Sequence, residues 1–183
     1  HNAKSKEELR QQIESKDWEN LLTKVPVKAG DFFYVPSGTM HAIGAGIMVL
    51  ETQQSSDTTY RVYDFDRKDD QGNLRELHLE KSIDVLSIGE PANSRPVTTK
   101  VDDLKSTLLV ASDFFAVYKW EISGKADFEK TADYSLFSVL DGQGSLLVDG
   151  QEYPIAKGSH FILPSDVQAW EIKGELELIV SHP

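Results

Sequence analysis

One histidine of the chain has a setting that is typical of a metal ligand. His41 lies in the stretch YVPSGTMHAIGAG, after a Pro-Ser-Gly turn and before an apolar segment with spaced glycines. Neutral imidazole is a preferred ligand of zinc, but a zinc site needs about three or four protein ligands. The other histidines have no comparable setting; they are His1, His78, His160 and His182. His41 is therefore either one ligand of an incomplete set or a hydrogen-bonded structural histidine.

An arginine interrupts an aromatic and β-branched segment further along the chain. In TTYRVYDF, the alternation of a strand would place Thr59, Arg61 and Tyr63 on one face. A charged side chain is costly on such a surface unless it has a partner or faces a wet pocket. A guanidinium keeps its charge, so Arg61 can stabilise negative charge but cannot act as a base. The alternative is a surface arginine on an edge strand.

Three segments of the sequence have the pattern of helices. SKEELRQQIESKDWENLL predicts one helix and a second short one, with Ser5 and Glu8 in the positions of a capping box. RELHLEKSIDVL predicts a further helix, which places Leu79, Ile83 and Leu86 on one face. These helices would lie at the start and in the middle of the chain.

The remaining sequence is dominated by strand patterns. DFFYVP, GIMVLET and TTYRVYDFD predict three strands, and FFAVYKWEI, YSLFSVL, GSLLVDG, HFILP, AWEIK and LELIVS predict six more. Asp141-Gly142 and Asp149-Gly150 predict tight turns between strands. SIGEPANSRPVTTK is rich in proline and small polar residues, so we expect two domains, at residues 1–88 and 89–183. The aromatic residues are expected in a β-barrel core, among them Phe33, Trp120, Phe137, Phe161 and Trp170.

The sequence contains an internal repeat. VKAGDFFYVPSGTMHA and IAKGSHFILPSDVQAW can be aligned so that Gly30 matches Gly158 and both copies carry a Pro-Ser pair. His41 then falls opposite Ala169, so only one copy keeps the histidine. Two copies predict two related β-barrels in tandem. The alternative is a chance recurrence, because apolar strands before proline are common.

Two motifs carry a resemblance to a known family. The pattern G-D-x-x-x-x-P-x-G-x-x-H, which ends at His41, resembles the second half of the cupin signature. Together with the block SSDTTYRVYDFDR, it resembles the type I mannose-6-phosphate isomerases in their short bacterial form, and the likeness extends over essentially the whole chain. This implies a mainly β fold of tandem cupin-type jelly-roll barrels. The first barrel would be incomplete in this chain, and short helices would lie at the N-terminus and between the barrels.

The resemblance also implies an activity and a set of site residues. Members of the family interconvert mannose 6-phosphate and fructose 6-phosphate through an enediol and carry one zinc. His41 would be a zinc ligand, Arg61 the catalytic arginine and Arg67 a residue near the substrate phosphate. Apart from the resemblance, Glu51 and Asp57 flank the approach to Arg61 in the sequence, and we expect Glu51 to line the pocket and take part in proton transfer. Asp57 would hold the loop or pair with an arginine.

The family pattern is only partly present in this chain. The other zinc ligands of the family are a Gln, a His and a Glu in an upstream Q-x-H block, and no such block exists here. We therefore expect a C-terminal portion of a longer enzyme, with little activity alone and with the missing N-terminal portion as its partner. Exposed strand edges would also allow pairing with a second copy of the chain. The alternative is a non-catalytic cupin module that binds sugar or serves as a scaffold.

The amino-acid composition argues against several classes of binding partner. The formal net charge of -11 argues against binding to nucleic acid or to an anionic membrane surface. An anionic small molecule can bind only where several basic side chains converge. The absence of cysteine excludes disulfides and thiolate metal sites. No apolar run approaches the roughly 20 residues that a membrane helix needs, and we expect a cytoplasmic protein.

Overall fold

The computed structural model describes residues 1–56, 58–89 and 93–183. The fold is mainly β, as predicted. It divides into a first unit, His1–Val49 with Ser55–Asn93, and a second unit, Leu50–Gln54 with Ser94–Pro183. The boundary expected after residue 88 and the incomplete first barrel stay predictions.

The first unit is built around three short helices. They are α1 (Lys6–Glu14), α2 (Trp18–Leu21) and α3 (Leu79–Val85). Ser5 caps α1, because its hydroxyl accepts the N–H of Glu8 at 3.1 Å. The Glu8 carboxylate in turn accepts the N–H of Lys4 at 2.9 Å, which confirms a reciprocal cap shifted by one residue. No helix of the described residues is long and apolar enough to cross a membrane.

Apolar side chains and one ion pair join these helices. The buried residues of this core are Ala3, Leu9, Ile13, Leu21, Ile83 and Leu86. The Arg10 guanidinium also donates to both carboxylate oxygens of Glu80, at 2.5 and 2.7 Å. This bidentate contact joins α1 to α3 and lowers the pKa of Glu80.

The three strands predicted for the first unit do not form among the described residues. Between α2 and α3 the described residues form only turns, bends and irregular segments with one isolated bridge, Lys68 to Leu74. Several apolar side chains of these segments are exposed, including Phe33 at 55% and Met48 at 97%. The strand prediction was wrong here because a strand needs a neighbouring strand to accept its backbone hydrogen bonds. Phe33 is correspondingly not a core residue.

The second unit is an antiparallel sheet of seven strands. They are β1 (Val97–Val101), β2 (Leu104–Ala111), β3 (Ala116–Glu129), β4 (Ser135–Val148), β5 (Gln151–Ala156), β6 (His160–Leu163) and β7 (Ala169–His182). The strands are ordered β1-β2-β3-β7-β4-β5, and β6 also pairs with β4. The long strand β4 thus has β7 along one edge and β5 and β6 in succession along the other.

Several turn positions differ from the sequence prediction. Asp141-Gly142 does not separate two strands, because β4 runs through it with a register shift between Val139 and Asp141. AWEIK and LELIVS likewise form the single strand β7. Asp149-Gly150 is the predicted tight turn, with φ of +49° and +77°. The β1–β2 hairpin was missed, since β1 lies in the segment that was interpreted as a domain boundary.

A row of glycines crosses the three longest strands at one level. Gly174 of β7 lies opposite Gly124 of β3 and opposite Gly144 of β4. The backbones approach so closely that a Cβ on Gly144 would lie 1.9 Å from the Lys173 carbonyl oxygen. The strands can therefore pass one another here only without side chains.

The interior of the second unit is filled by aromatic rings, as predicted. Trp120 stacks on Phe128 with centroids 4.3 Å apart, and Phe128 stacks on Trp170 at 5.8 Å. Phe137 stacks on Phe161 at 4.8 Å. Surrounding aliphatic side chains complete this core, including Leu178 and Ile172, which are fully buried.

The substitution Gly144→Ala is expected to destabilise the second unit by about 3 kcal/mol, the upper end of the usual range for overpacking, since the added Cβ overlaps a backbone carbonyl that cannot move alone. Thermal and urea unfolding of both proteins measure the change. Gly44→Ala is the matched control, because nothing lies within 4 Å of its added Cβ. Equal stability of the two variants would contradict the role of the glycine row.

Candidate functional site

Two turns shape the corner that carries His41. In the first, the N–H of Asp31 donates to the carbonyl of Lys28 at 3.2 Å, and Gly30 has a φ of +90°. In the second, the N–H of Thr39 donates to the carbonyl of Pro36 at 3.1 Å. The Asp31 carboxylate also accepts the N–H of Lys28 at 2.9 Å. Local hydrogen bonds therefore define this corner without any strand.

The aligned segment of the second unit has the same local bonds. The N–H of Ser159 donates to the carbonyl of Ala156 at 2.8 Å, and that of Val167 donates to Pro164 at 3.1 Å. The Ser159 hydroxyl accepts the N–H of Ala156 at 3.0 Å, where the first copy uses Asp31. Gly158 has a φ of +88°. The repeat is thus a repeat of backbone geometry, and the position of His41 corresponds to the start of β7.

The His41 ring is oriented for a ligand role. Its Nδ1 lies 2.9 Å from the carbonyl oxygen of Thr39. A carbonyl only accepts, so Nδ1 carries the proton and the lone pair is on Nε2. The ring is exposed, which leaves Nε2 accessible. A histidine that ligates a metal commonly donates its other ring nitrogen in this way.

The corner itself is anchored to the end of α3. The N–H of Ser87 donates to the carbonyl of Gly38 at 2.9 Å. A Cβ at Gly38 would lie 2.7 Å from the carbonyl oxygen of Val85, so only glycine fits. Met40 packs against the helical core. The residues just before His41 therefore fix the position of the corner, Gly38 through Ser87 and Met40 through the helical core.

The described residues do not complete a metal site. Within 1–56, 58–89 and 93–183, no group of three His, Asp or Glu side chains could hold a metal ion. The chemistry and orientation of His41 fit one zinc ligand, and the remaining ligands have no counterpart in this part of the chain.

Arg61 and Arg67 converge on the carboxylate of Asp64. That side chain is only 7% exposed and receives a short hydrogen bond from the Arg67 guanidinium. Nη1 of Arg75 lies 3.6 Å from the same oxygen, and Nε of Arg61 lies 4.0 Å from it. We call Asp64, Arg61, Arg67 and Arg75 the arginine cluster. Among these four side chains, positive charges outnumber negative ones by two.

Further contacts orient Arg61 within the cluster. Its guanidinium donates to the carbonyl of Glu76 at 3.3 Å. Its backbone N–H donates to Nδ1 of His78 at 3.2 Å, and the N–H of His78 donates back to its carbonyl at 2.8 Å. The predicted strand alternation is wrong here, because Arg61 and Asp64 meet at a spacing of three residues. Of the two conditions under which a charge is tolerated at Arg61, a partner or a wet pocket, the first is met by the Asp64 carboxylate.

Charge dominates the chemistry of Asp64. The hydrogen bond from Arg67, followed by the nearby charges of Arg67, Arg75 and Arg61, holds the pKa of Asp64 below its ordinary value of 3.8 despite its burial. Its second oxygen, Oδ2, is buried and has no hydrogen-bond partner. The carboxylate is therefore a fixed anion whose hydrogen-bonding and ion-pairing partners all gather at Oδ1.

The predicted site residues have different outcomes. Arg61 and Arg67 come together on Asp64, whereas His41 has its only hydrogen bond among the described residues with Thr39. Glu51 is exposed and belongs to the second unit. Asp57 lies outside the described residues. The roles predicted for these residues stay predictions.

Sequence reasoning missed two members of the arginine cluster, Asp64 and Arg75. The spacing Arg61, Asp64, Arg67 would have indicated the first, since each arginine is three residues from the acid. DDQGN was recognised as a turn or loop. Arg67 lies two residues before this segment and Arg75 two residues after it. This equal spacing would have indicated that Arg75 lies beside Arg67.

Comparison with known proteins places the chain beside one group of sugar-phosphate enzymes. Residues 105–183 match the family described as mannose-6-phosphate isomerase, cupin domain. The chain is 64% identical over 182 residues to mannose-6-phosphate isomerase of Streptococcus mutans, which covers all of this chain and 58% of that protein. It is 49% identical to mannose-6-phosphate isomerase ManA of Bacillus subtilis, again over 58% of that protein.

A solved structure agrees with the whole chain. The crystal structure of mannose 6-phosphate isomerase from Bacillus subtilis superposes with a TM-score of 0.93 at 44% identity. The superposition covers all of this chain and 59% of that one. The chain therefore spans somewhat more than half the length of the relatives it matches.

The Asp64→Asn variant is expected to be less stable than the wild type at pH 7, because three guanidiniums lose their shared counter-charge. The folded-state pKa of Asp64 is lowered, so its stabilisation is complete above the unfolded value near 3.8 and is lost as the pH falls through the folded value. The difference in unfolding temperature should therefore shrink below about pH 4. Calorimetry from pH 7 to pH 2.5 measures this.

Asp70→Asn serves as the control for this pH series, since Asp70 is an exposed residue of the adjacent turn. It should leave the unfolding temperature within experimental error at every pH. An Asp64→Asn difference that stayed constant with pH would show that the Asp64 charge does not hold the cluster.

Proposed function

We propose that this chain, which belongs to the type I mannose-6-phosphate isomerase family, supplies part of an active site that interconverts mannose 6-phosphate and fructose 6-phosphate. The observation that carries the proposal is the convergence of Arg61 and Arg67 on Asp64, within the block that resembles the family. We further propose a cytoplasmic location, where such a metabolite would be met.

Arg61 is the proposed electrostatic catalyst. The isomerisation removes the proton from C2 of the open-chain aldose and returns a proton to C1, while O2 loses its proton and O1 gains one. Negative charge develops on these oxygens in the enediol-like transition state. A fixed guanidinium stabilises such charge without reorganising. The contacts of Arg61 with Glu76 and His78 support this role, since they hold the side chain in one orientation.

Arg67 is the proposed contact for the substrate phosphate. Its side chain is 63% exposed although Nε donates to the Asp64 carbonyl and Nη2 to the Asp64 carboxylate. Guanidinium donors that point away from Asp64 can therefore reach a phosphate, which arginine binds in bidentate fashion. Glu51 remains a proposed participant in proton transfer, and Asp57 a proposed loop or ion-pair residue.

His41 is proposed as one ligand of a zinc ion. The family is metal-dependent, and a bound zinc would act as a Lewis acid toward the sugar oxygens. The exposed Nε2 of His41 supports the assignment, with Nδ1 bonded to Thr39. Further ligands would come from the part of the relatives' length that this chain does not match, and with them the catalytic lysine or lysines. We therefore derive no catalytic step through the metal.

A non-catalytic cupin module is the second candidate function. The observation that favours it is the absence, among the described residues, of three side chains able to hold a metal. Such a module would bind a sugar or serve as a scaffold without isomerising anything. The arginine cluster argues against this candidate, because a scaffold does not require three guanidiniums that converge on one carboxylate. A chimera separates these two candidates.

In the proposed chimera, this chain replaces the matched 182 residues of the Streptococcus mutans enzyme. We expect zinc-dependent isomerisation of mannose 6-phosphate, measured by a coupled assay for fructose 6-phosphate. This chain alone should have little activity, because its described residues hold one candidate ligand. An inactive but folded and zinc-loaded chimera would support the non-catalytic module instead.

Arg61→Gln in the chimera should lower kcat by about 10²–10³-fold, because a fixed cation no longer stabilises the transition state. The KM should change far less. Arg95→Gln removes the same charge from an exposed position outside the arginine cluster and should leave kcat unchanged. A similar loss of kcat in both variants would show that Arg61 acts only through the net charge of the protein.

His41→Ala in the chimera should remove most of the bound zinc, as measured by elemental analysis after gel filtration. Loss of one imidazole weakens a site of three or four ligands. His160→Ala is the control, since that histidine is exposed in the second unit and contacts Ser138. Full zinc content in His41→Ala would exclude His41 as a ligand.

A further inference from the structure

A short hairpin places Arg75 beside Arg67. The bridge between Lys68 and Leu74 is antiparallel, and the N–H of Asp69 donates to the carbonyl of Asn73 at 2.9 Å. The same register places Arg67 opposite Arg75, just outside the bridge. Both side chains then reach the carboxylate of Asp64.

Asp69 organises the turn of this hairpin. Its carboxylate accepts the N–H groups of Gln71 and Asn73 at 2.9 and 2.8 Å. Its carbonyl accepts the N–H of Gly72 at 2.9 Å. The N–H of Asn73, followed by the other donors of the turn, lowers the pKa of Asp69. The separation of the two arginines is therefore set by a well-bonded turn.

The hairpin brings two like charges close together. Like charges directly opposite each other in a hairpin destabilise it. Asp64 neutralises one charge, yet Arg61 also shares this carboxylate. A hairpin that only had to cover Asp64 would need one arginine, and Arg67 already supplies it through a short hydrogen bond.

The exposure of the two guanidiniums indicates where an anion would bind. The side chain of Arg67 is 63% exposed and that of Arg75 is 50% exposed, whereas Arg61 is 22% exposed. Each guanidinium has five donors, and the contacts with Asp64 use few of them. The chain as a whole carries a charge of -11, which repels anions. An anion is therefore held only where such donors converge.

We propose that Arg75 and Arg67 form a two-armed clamp for a tetrahedral oxyanion, the phosphate group of the sugar phosphate, with Asp64 as the positioning residue between them. The identity of the sugar phosphate rests on the proposed function; the clamp itself rests on the hairpin and the arginine cluster. Asp64 holds the two guanidiniums at its Oδ1, and the solvent side of both remains available to phosphate oxygens.

The test measures phosphate binding to this chain directly. Isothermal titration calorimetry at fixed ionic strength uses inorganic phosphate and mannose 6-phosphate as probes, with unphosphorylated mannose as the comparison. We expect Arg75→Gln to weaken binding of both phosphates about 10-fold or more, which is the loss of one charge-assisted contact. Arg75→Lys keeps the positive charge but loses the planar donor geometry of the guanidinium, so it should bind phosphate with intermediate affinity.

Arg95→Gln is the matched control for charge and should bind phosphate within about twofold of the wild type. Circular dichroism of each variant excludes unfolding as the cause, and Arg75→Lys remains informative if Arg75→Gln does not fold. Equal weakening by Arg75→Gln and Arg95→Gln would overturn the clamp. Absence of saturable phosphate binding by the wild-type chain would overturn it as well.

The chimera separates failure of the clamp from failure of the proposed function. If the clamp is correct, Arg75→Gln in the chimera raises the KM for mannose 6-phosphate about 10-fold or more, with a much smaller change in kcat. An active chimera whose KM does not change with Arg75→Gln would contradict the clamp and support the isomerase function. Loss of phosphate binding in Arg75→Gln with an inactive chimera supports the clamp and contradicts the isomerase.

Discussion

Backbone hydrogen bonding between neighbouring strands is the constraint that decides the conformation of most of this chain. In the second unit each long strand has partners along its length, and β3 alone has fourteen paired positions with β7. In the first unit the segments around Phe33 and Met48 have similar β-forming composition but no partner strand among the described residues. The same kind of sequence therefore becomes a sheet in one unit and an exposed, irregular segment in the other.

The internal repeat separates local from tertiary effects. The glycine turns and the Pro-started corners have matching hydrogen bonds in both units, although only the second unit places them between strands. These corners are specified by residues within a few positions of one another, such as Gly30 with Asp31 and Gly158 with Ser159. Short-range hydrogen bonds thus form the corner that carries His41 without the sheet.

The arginine cluster depends on contacts between side chains that no periodic pattern reveals. The sequence shows at Arg61 a charge that interrupts an apolar segment, which requires either a partner or a wet pocket, and Asp64 is such a partner. Asp64 and Arg75 were missed, since acidic and basic residues are abundant and their value here comes from convergence on one buried carboxylate. Burial lowers the effective dielectric around Asp64, which makes these ion pairs stronger than exposed ones.

The sequence by itself determined the class of fold, the helix cap at Ser5, the tight turn at Asp149-Gly150, the repeated corner and the family. Each of these depends on residues close together in the chain or on a motif that spans it. Only the tertiary structure decided that Asp141-Gly142 lies inside β4, that the predicted strands of the first unit remain unpaired, and that three arginines share Asp64. The physical reason is that strand pairing and charge convergence both require partners distant in sequence, whose identity the local pattern does not contain.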